Sequence, residues 1–260
     1  MVADVANPSD EASADGARIL VVNPNTSTEM TERIAETADR AAGPQTEIIT
    51  DCPDRGPESL ESFYEYHLAT GGLLETVAEY QGDVDGVVVG CFGDPGLYPL
   101  KEVLNVPVVG VAEASMGIAT VLGHRFSILV ALKRAVPMME NLVRQYGLNQ
   151  RLATVEATGL SVLDLERDPE QTLVELTAAG ERATDSGAEV FVLGCSGMSG
   201  YEEELANRLG APVIDPIANA VVTAEMVHRQ GLTQNKTGLW GTPPTKEIRG
   251  DLLGDSFASE

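Results

Sequence analysis

The sequence predicts an α/β protein made of two lobes of similar design, each with a parallel sheet. Two observations lead to this prediction. Short Val, Ile and Leu runs without polar alternation, which are typical of strands buried on both faces, alternate with helical patterns. The second half of the chain also repeats landmarks of the first half in the same order. In open α/β sheets ligands bind at the carboxyl ends of the strands, so we expect a site in the crevice between the lobes.

The first half contains strands and helices in alternation. A box of the Ser/Thr-x-x-Glu type, Thr26 to Glu29, predicts the start of a helix that reaches about Ala42. A second helix is expected over 58–80, with a weak point at Gly71-Gly72. The predicted strands are 18–22, 47–50, 85–89 and 107–111.

The second half carries matching segments. Gly90-Cys-Phe-Gly-Asp-Pro-Gly96 and Gly194-Cys-Ser-Gly-Met-Ser-Gly200 both read G-C-x-G-x-x-G, 104 residues apart, and both follow an apolar run. The strand candidates 125–130 and 209–214 repeat 18–22 and 104–109 at nearly the same offset. We therefore predict a disordered lead-in over 1–17, a first lobe formed by 18–115 plus 219–260, and a second lobe formed by 116–218.

The charge of the chain restricts its partners and its location. The 260 residues include 40 Asp and Glu against 17 Lys and Arg, which gives a formal net charge of −23. Such a surface repels phosphate backbones and anionic membranes, so neither a nucleic acid nor a membrane is expected as a partner. There is no apolar run of about 18 residues and no signal-peptide pattern, which favours a cytoplasmic protein. Acidity spread along the whole chain favours a salt-rich cytosol over an ordinary one.

The paired cysteines are the strongest chemical signal. A single Cys after a strand is usually a small buried apolar residue, but Cys91 and Cys195 stand in matched frames. If they face each other across the crevice, one thiolate can remove a proton from a stereocentre while the other thiol protonates the opposite face. Backbone N–H groups beside each thiol are expected to lower its pKa and to bind an enolate oxygen. The residues expected to supply these N–H groups are Phe92, Gly93, Ser196 and Gly197.

The third cysteine and the histidines do not indicate a further site. Cys52 has no counterpart in the second half and is interpreted as structural. Two cysteines and three scattered histidines do not form a metal motif, so no metal is expected.

Several segments resemble the aspartate/glutamate/hydantoin racemase superfamily, and most closely its hydantoin and allantoin racemase branch. The segments are Val22-Asn-Pro-Asn-Thr-Ser27, Gly56-Pro57 with Ser59 and Glu61, both Gly-Cys motifs, 107–114 and 212–215, and the match runs from about Arg18 to Lys246. The resemblance implies two Rossmann-like lobes and a homo-oligomer. It also implies a cofactor-independent, two-base racemase of a small molecule, with Cys91 and Cys195 as the catalytic residues. It places Asn23 and Asn25 at the crevice as substrate-binding residues, although both can also be explained as turn and helix-cap residues.

The chain departs from the pattern at two places. Val130-Ala131 stands where the family often has a Thr pair, and Ser196 stands where Ala is common. Both changes affect the expected substrate more than the expected chemistry. Asp94 is interpreted as a loop former. Glu113 is interpreted as a helix-start carboxylate that is structural or lies at an interface. Phe92 is expected to pack either on a ligand ring or on the core.

Four functions are compatible with these residues. The favoured one is racemisation of a 5-substituted hydantoin or of allantoin. An aspartate- or glutamate-type amino-acid racemase would need cations, which the first Gly-Cys loop lacks. A maleate-type cis–trans isomerase would use one Cys as a nucleophile. A non-catalytic binding protein would not need paired bases.

Overall fold

The computed structural model of the protein describes residues 16–160, 164–244 and 246–247. These residues form two four-stranded parallel sheets of the same topology, with orders β2-β1-β3-β4 and β6-β5-β7-β8. The strands are β1 Arg18–Val22, β2 Glu47–Asp51, β3 Gly86–Val89, β4 Val108–Gly110, β5 Phe126–Val130, β6 Leu152–Ala157, β7 Val190–Leu193 and β8 Val213–Ile214. The helices are α1 Thr28–Ala41, α2 Phe63–Ala78, α3 Leu97–Val103, α4 Val111–Leu122, α5 Ala135–Gln145, α6 Asp164–Arg167, α7 Pro169–Asp185, α8 Glu202–Leu209 and α9 Pro216–Arg229. The predicted α/β class with two Rossmann-like lobes is confirmed, whereas residues 1–15 of the predicted lead-in lie outside the described residues.

The strands form where the sequence has continuous apolar runs, because these runs are covered on both faces. All residues of β3, β5 and β7 are buried. One buried cluster joins residues of both sheets, including Ile19, Val88, Phe126 and Val192. Two further clusters cover the outer face of each sheet. The shared cluster fixes the two sheets against each other, and each large side chain in it contributes roughly 1.5–3 kcal/mol of burial free energy.

Two helix starts differ from the prediction. The N-cap of α1 is Ser27, whose hydroxyl accepts a hydrogen bond from the Met30 N–H, one residue later than the predicted box. The second helix begins at Phe63 instead of residue 58, because the segment before Ser62 packs against the loop that follows β1. Thr26 N–H donates to the Pro57 carbonyl oxygen (3.0 Å), which holds that segment in place.

The Gly71-Gly72 pair does not interrupt α2. A Cβ atom at Gly72 would lie 2.5 Å from the Arg55 carbonyl oxygen and 2.9 Å from Pro53 Cβ. Glycine at this position therefore allows the segment after β2 to pack directly on the helix, which explains why a weak helix former stands inside it.

The last helix returns to the first sheet. Helix α9 packs against α1 and α4 and against β1, β3 and β4. The predicted division at residue 116 falls inside α4, which contacts strands of both sheets. No helix within 16–160, 164–244 and 246–247 has the length and apolar character needed to cross a membrane.

Candidate active site

Cys91 and Cys195 lie at the carboxyl ends of β3 and β7, the equivalent strands of the two sheets. Both line one cavity of about 60 Å³. The described residues that surround it are Asn23, Asn25, Met30, Ser59, Leu60, Tyr66, Gly90, Phe92, Gly93, Gly194 and Ser196. Neither Lys nor Arg is among these residues. The structure thus places residues of the two matched motifs and of the Asn-Pro-Asn loop around one cavity.

The Cys91 thiol is held in a desolvated position at the wall of the cavity. Burial raises its pKa to about 12, and the nearby Cys195 and Asp94 act in the same direction. The Gly93 N–H donates a hydrogen bond to the thiol, which lowers the pKa but does not compensate for the lost hydration. The loop N–H therefore acts in the expected direction, but the expected net lowering of the Cys91 pKa is wrong because burial raises the pKa more.

Cys195 precedes a short 3₁₀ turn, Ser196–Met198, and adopts an extended backbone. A Cβ atom at Gly197 would lie 3.6 Å from Cys195 Sγ, so this glycine faces the sulfur. The backbone N–H groups of Phe92, Ser196 and Gly197 belong to the two loops that carry the thiols. These N–H groups are the ones predicted to bind an enolate oxygen, and that role stays a prediction.

The two asparagines form a hydrogen-bonded network within their own loop. Asn23 Nδ2 donates to Asn25 Oδ1 (2.8 Å) and to Thr31 Oγ1 (2.9 Å). Asn25 Oδ1 also accepts from the Ser27 N–H (2.9 Å) at the start of α1. Both side chains line the cavity but use their polar atoms to hold the loop. Direct contact with a substrate stays a prediction, and the positioning role is what the contacts show.

Phe92 packs in the core shared by the two sheets and is only 3% exposed. Its remaining exposed surface lines the cavity beside Cys91. The contacts show that Phe92 packs on the core, and its packing on a ligand ring stays a prediction.

Tyr66 was not identified from the sequence as a site residue. Helix α2 begins with Ser62 as N-cap, and Tyr66 lies on its first turn and reaches the cavity. Burial raises the pKa of the phenol far above its usual value, and the two thiols and Asp94 add to this shift. Nothing in the pattern around residue 66 signals this position, because the residue lies on a helix outside both repeated motifs.

Asp94 connects the Cys91 loop to α4. Its backbone is left-handed, with φ of 44°, and its carboxylate accepts hydrogen bonds from the N–H groups of Ala112 (3.0 Å) and Glu113 (2.9 Å). It also accepts a hydrogen bond from the Tyr146 hydroxyl. Burial raises the pKa of this carboxyl to about 6, against the effect of these donors. The contacts show a structural role, and Glu113 likewise forms an ion pair with Lys101 (2.6 Å).

The remaining sequence candidates lie away from the cavity. Cys52 follows β2, and its N–H donates to Asp51 Oδ1 (2.8 Å). Val130 and Ala131 are buried and do not line the cavity. The three cysteines form no disulfide. Among the described residues, no group of three or more His, Cys, Asp or Glu side chains is arranged to hold a metal ion.

A second cavity, of about 440 Å³, adjoins the first. The two cavities share Tyr66 and Gly93 as wall residues. The larger one is lined mainly by apolar and aromatic side chains, with the carboxyl of Asp94 at its wall.

Two equivalent parallel sheets that bring one cysteine each to a common cavity define a class of two-lobed α/β proteins with paired thiols. The chain belongs to the Asp/Glu/hydantoin racemase family, whose sequence model matches residues 19–224. It is 39% identical to a hydantoin racemase of Pseudomonas sp. (strain NS671), over 90% of this chain and 95% of that protein. It is 40% identical to a hydantoin racemase of Paenarthrobacter aurescens, over 88% and 99% of the two chains. The structure superposes on an allantoin racemase from Klebsiella pneumoniae with a TM-score of 0.86 and 38% identity, over 91% and 97% of the chains.

Proposed function

We propose that this protein is a racemase of the hydantoin type that inverts the C5 stereocentre of a 5-substituted hydantoin or of allantoin. The observation that carries the proposal is the position of Cys91 and Cys195 on one cavity, at the ends of equivalent strands. The relatives named hydantoin and allantoin racemase support the same substrate class.

The two proton transfers of the reaction need only the two sulfurs. One cysteine, as thiolate, removes the C5 proton and becomes a thiol, and the electron pair of the C–H bond moves into the adjacent carbonyl as an enolate. The other cysteine, as thiol, delivers its proton to the opposite face of C5 and becomes a thiolate. The product is the mirror-image ring and the two cysteines have exchanged protonation states, so atoms and charge balance without a cofactor.

The pKa shifts support a pair of cysteines that shares one proton, so that one is a thiol while the other is a thiolate. A thiolate on one cysteine raises the pKa of the other, so the second thiol stays protonated and can act as the acid. The raised pKa of Cys91 makes the thiolate scarce in the empty site but strong as a base once formed. Hydantoins suit such bases, because the ring carbonyl next to C5 acidifies its proton.

The lining of the cavity favours a hydantoin over an amino acid. Aspartate or glutamate would bring carboxylates into a cavity whose described walls contain no Lys or Arg. A charged substrate without a counter-ion would have to be desolvated at high cost. A neutral ring with carbonyl and N–H groups needs no counter-ion and can instead bind through backbone groups of the cavity wall.

The experiment is proton NMR in deuterated water with single enantiomers of allantoin, a 5-alkylhydantoin and aspartate. We expect enzyme-dependent loss of the C5 proton signal from a hydantoin or allantoin, together with loss of optical rotation. A control without enzyme corrects for unaided racemisation. Exchange from aspartate alone would instead support an amino-acid racemase. No exchange from any of the three compounds would contradict the proposal and leave the cis–trans isomerase and binding functions.

A further inference from the structure

We infer that Tyr66 is a further catalytic residue, whose phenol O–H donates a hydrogen bond to the substrate carbonyl oxygen that becomes the enolate oxygen. The inference rests on the proposed function and adds to it a residue from outside the two cysteine motifs. It is carried by the position of the phenol, by the absence of a partner for its hydroxyl among the described residues and by its charge state.

The structure holds Tyr66 firmly at the cavity. The first turn of α2 is fixed by the Ser62 hydroxyl, which accepts from the Glu65 N–H, while the Glu65 carboxylate accepts from the Glu61 N–H. The Phe63 ring packs edge-on to the Tyr66 ring, with centroids 6.3 Å apart. These two hydrogen bonds at the N-terminus of α2 give the phenol a defined position on the helix.

The phenol lies directly on the Cys91 loop. A Cβ atom at Gly93 would lie 2.3 Å from Tyr66 Cε2 and 2.6 Å from its hydroxyl oxygen. Glycine at this position therefore provides the space that the phenol occupies. Since Gly93 is two residues from Cys91, the hydroxyl is placed beside the first thiol, and it also interacts electrostatically with Cys195.

The hydroxyl has no partner among the described residues. No hydrogen bond to it is formed by any group of the described chain, and its oxygen is not among the fully buried unpartnered atoms. A mostly buried phenol usually satisfies its O–H with a protein acceptor. Here the group faces the cavity, where a ligand can accept the hydrogen bond.

The charge state of the phenol fits a donor and not a base. Burial and the neighbouring thiols and carboxylates raise its pKa, so the phenol is protonated at neutral pH. The Gly93 N–H, one of the predicted enolate donors, is directed at the Cys91 sulfur instead. In a cavity without described cations, a neutral O–H donor is the type of group that stabilises an enolate.

The test is the Tyr66→Phe variant, with Tyr64→Phe as the matched control on the same helix, because Tyr64 is 72% exposed. Loss of one such donor typically lowers kcat about 10²–10³-fold. We expect a loss of about a hundredfold for Tyr66→Phe, a small change in KM, and wild-type kcat for Tyr64→Phe. Thermal unfolding of both variants separates a catalytic loss from a folding defect.

A second measurement covers the case in which the phenylalanine variant folds poorly. Incorporation of 3-fluorotyrosine at position 66 keeps the shape of the ring and makes the phenol a stronger donor. We expect kcat to increase with the acidity of the phenol, which a packing role alone would not cause.

The outcomes separate this inference from the proposed function. If the wild-type protein exchanges the C5 proton of hydantoins and Tyr66→Phe keeps kcat within about threefold, the role of Tyr66 is wrong and the racemase proposal stands. If the wild-type protein exchanges no hydantoin proton, both are overturned.

Discussion

The two Gly-Cys-x-Gly loops occupy equivalent places in the two sheets, but they support their neighbouring helices differently. In the first lobe the carboxylate that caps α4 comes from the cysteine loop, because Asp94 accepts from the N–H groups of Ala112 and Glu113. In the second lobe the carboxylate comes from the helix itself, because Asp215 is the N-cap of α9 and accepts from the Ala218 N–H. The two helices follow the last strands of their sheets in the same way.

The different origin of the two capping carboxylates is reflected in the residues at the matching positions. Gly110 is the N-cap of α4 and has no side chain, and a Cβ atom there would lie 2.5 Å from the Asp94 carboxyl. In the second loop Ser199 lies beside Asp215 and lowers the pKa of that carboxyl, although burial raises it more. Neither the Ser199 hydroxyl nor Asp215 Oδ2 makes a hydrogen bond of regular geometry with any group in the part of the chain that the structure describes. The two loops therefore share the path of the backbone and the position of the thiol, while the contacts that support their neighbouring helices differ.

The largest expected effect is that of removing either thiol. Cys91→Ser and Cys195→Ser should each reduce racemisation by roughly a thousandfold or more, because a serine hydroxyl is far too weakly acidic to replace a thiol base. Steady-state polarimetry in both directions measures the loss. Cys52→Ser is the matched control and should retain wild-type activity. Full two-way racemisation by Cys91→Ser or by Cys195→Ser would show that the thiol of that loop is not needed as a base.

The second effect concerns pH. Because the pKa of Cys91 is raised to about 12, the thiolate is the minor form at neutral pH, and its fraction grows tenfold for each pH unit. We expect kcat/KM for proton abstraction by Cys91 to rise about a hundredfold between pH 6 and pH 8. Profiles recorded separately for each enantiomer compare the two bases directly. A profile that is flat over this range for both enantiomers would contradict the raised pKa.

The fold was largely predictable and the site only in part, and both outcomes have physical causes. Strands buried on both faces require continuous apolar runs, so β3 and β7 and the cysteines after them could be located. The contacts of Asp94 with α4 and of Tyr66 with Gly93 depend on how separate segments pack, and no local pattern encodes them. The pKa of Cys91 was predicted with the wrong sign, because the sequence shows the N–H groups but not the extent of burial.

The third effect compares the glycines that follow the two cysteines. A Cβ atom at Gly93 would overlap the Tyr66 ring, whereas one at Gly197 would make an ordinary contact with Cys195 Sγ at 3.6 Å. We expect Gly93→Ala to lower the free energy of unfolding by about 2 kcal/mol, since overpacking typically costs 1–3 kcal/mol. Gly197→Ala should change it by less than about 0.5 kcal/mol. Urea unfolding measures both, and equal effects would contradict the asymmetry of the loops.

The smallest effect concerns the charge of the whole chain. The formal net charge of −23 destabilises the folded chain through self-repulsion, which salt screens. We expect Tm to rise by a few degrees between dilute and molar KCl. A Tm that does not change with KCl would contradict the interpretation of the acidic surface as an adaptation to salt.

The most direct test of the two-base account is exchange of the C5 proton with deuterium by each single cysteine variant on each enantiomer. With one base left, a variant should exchange the proton of one enantiomer without inverting it, because protonation returns to the same face. We predict that Cys91→Ser and Cys195→Ser exchange opposite enantiomers. If both variants exchange the same enantiomer, or if either one racemises at the wild-type rate, the two thiols do not serve opposite faces of one carbon.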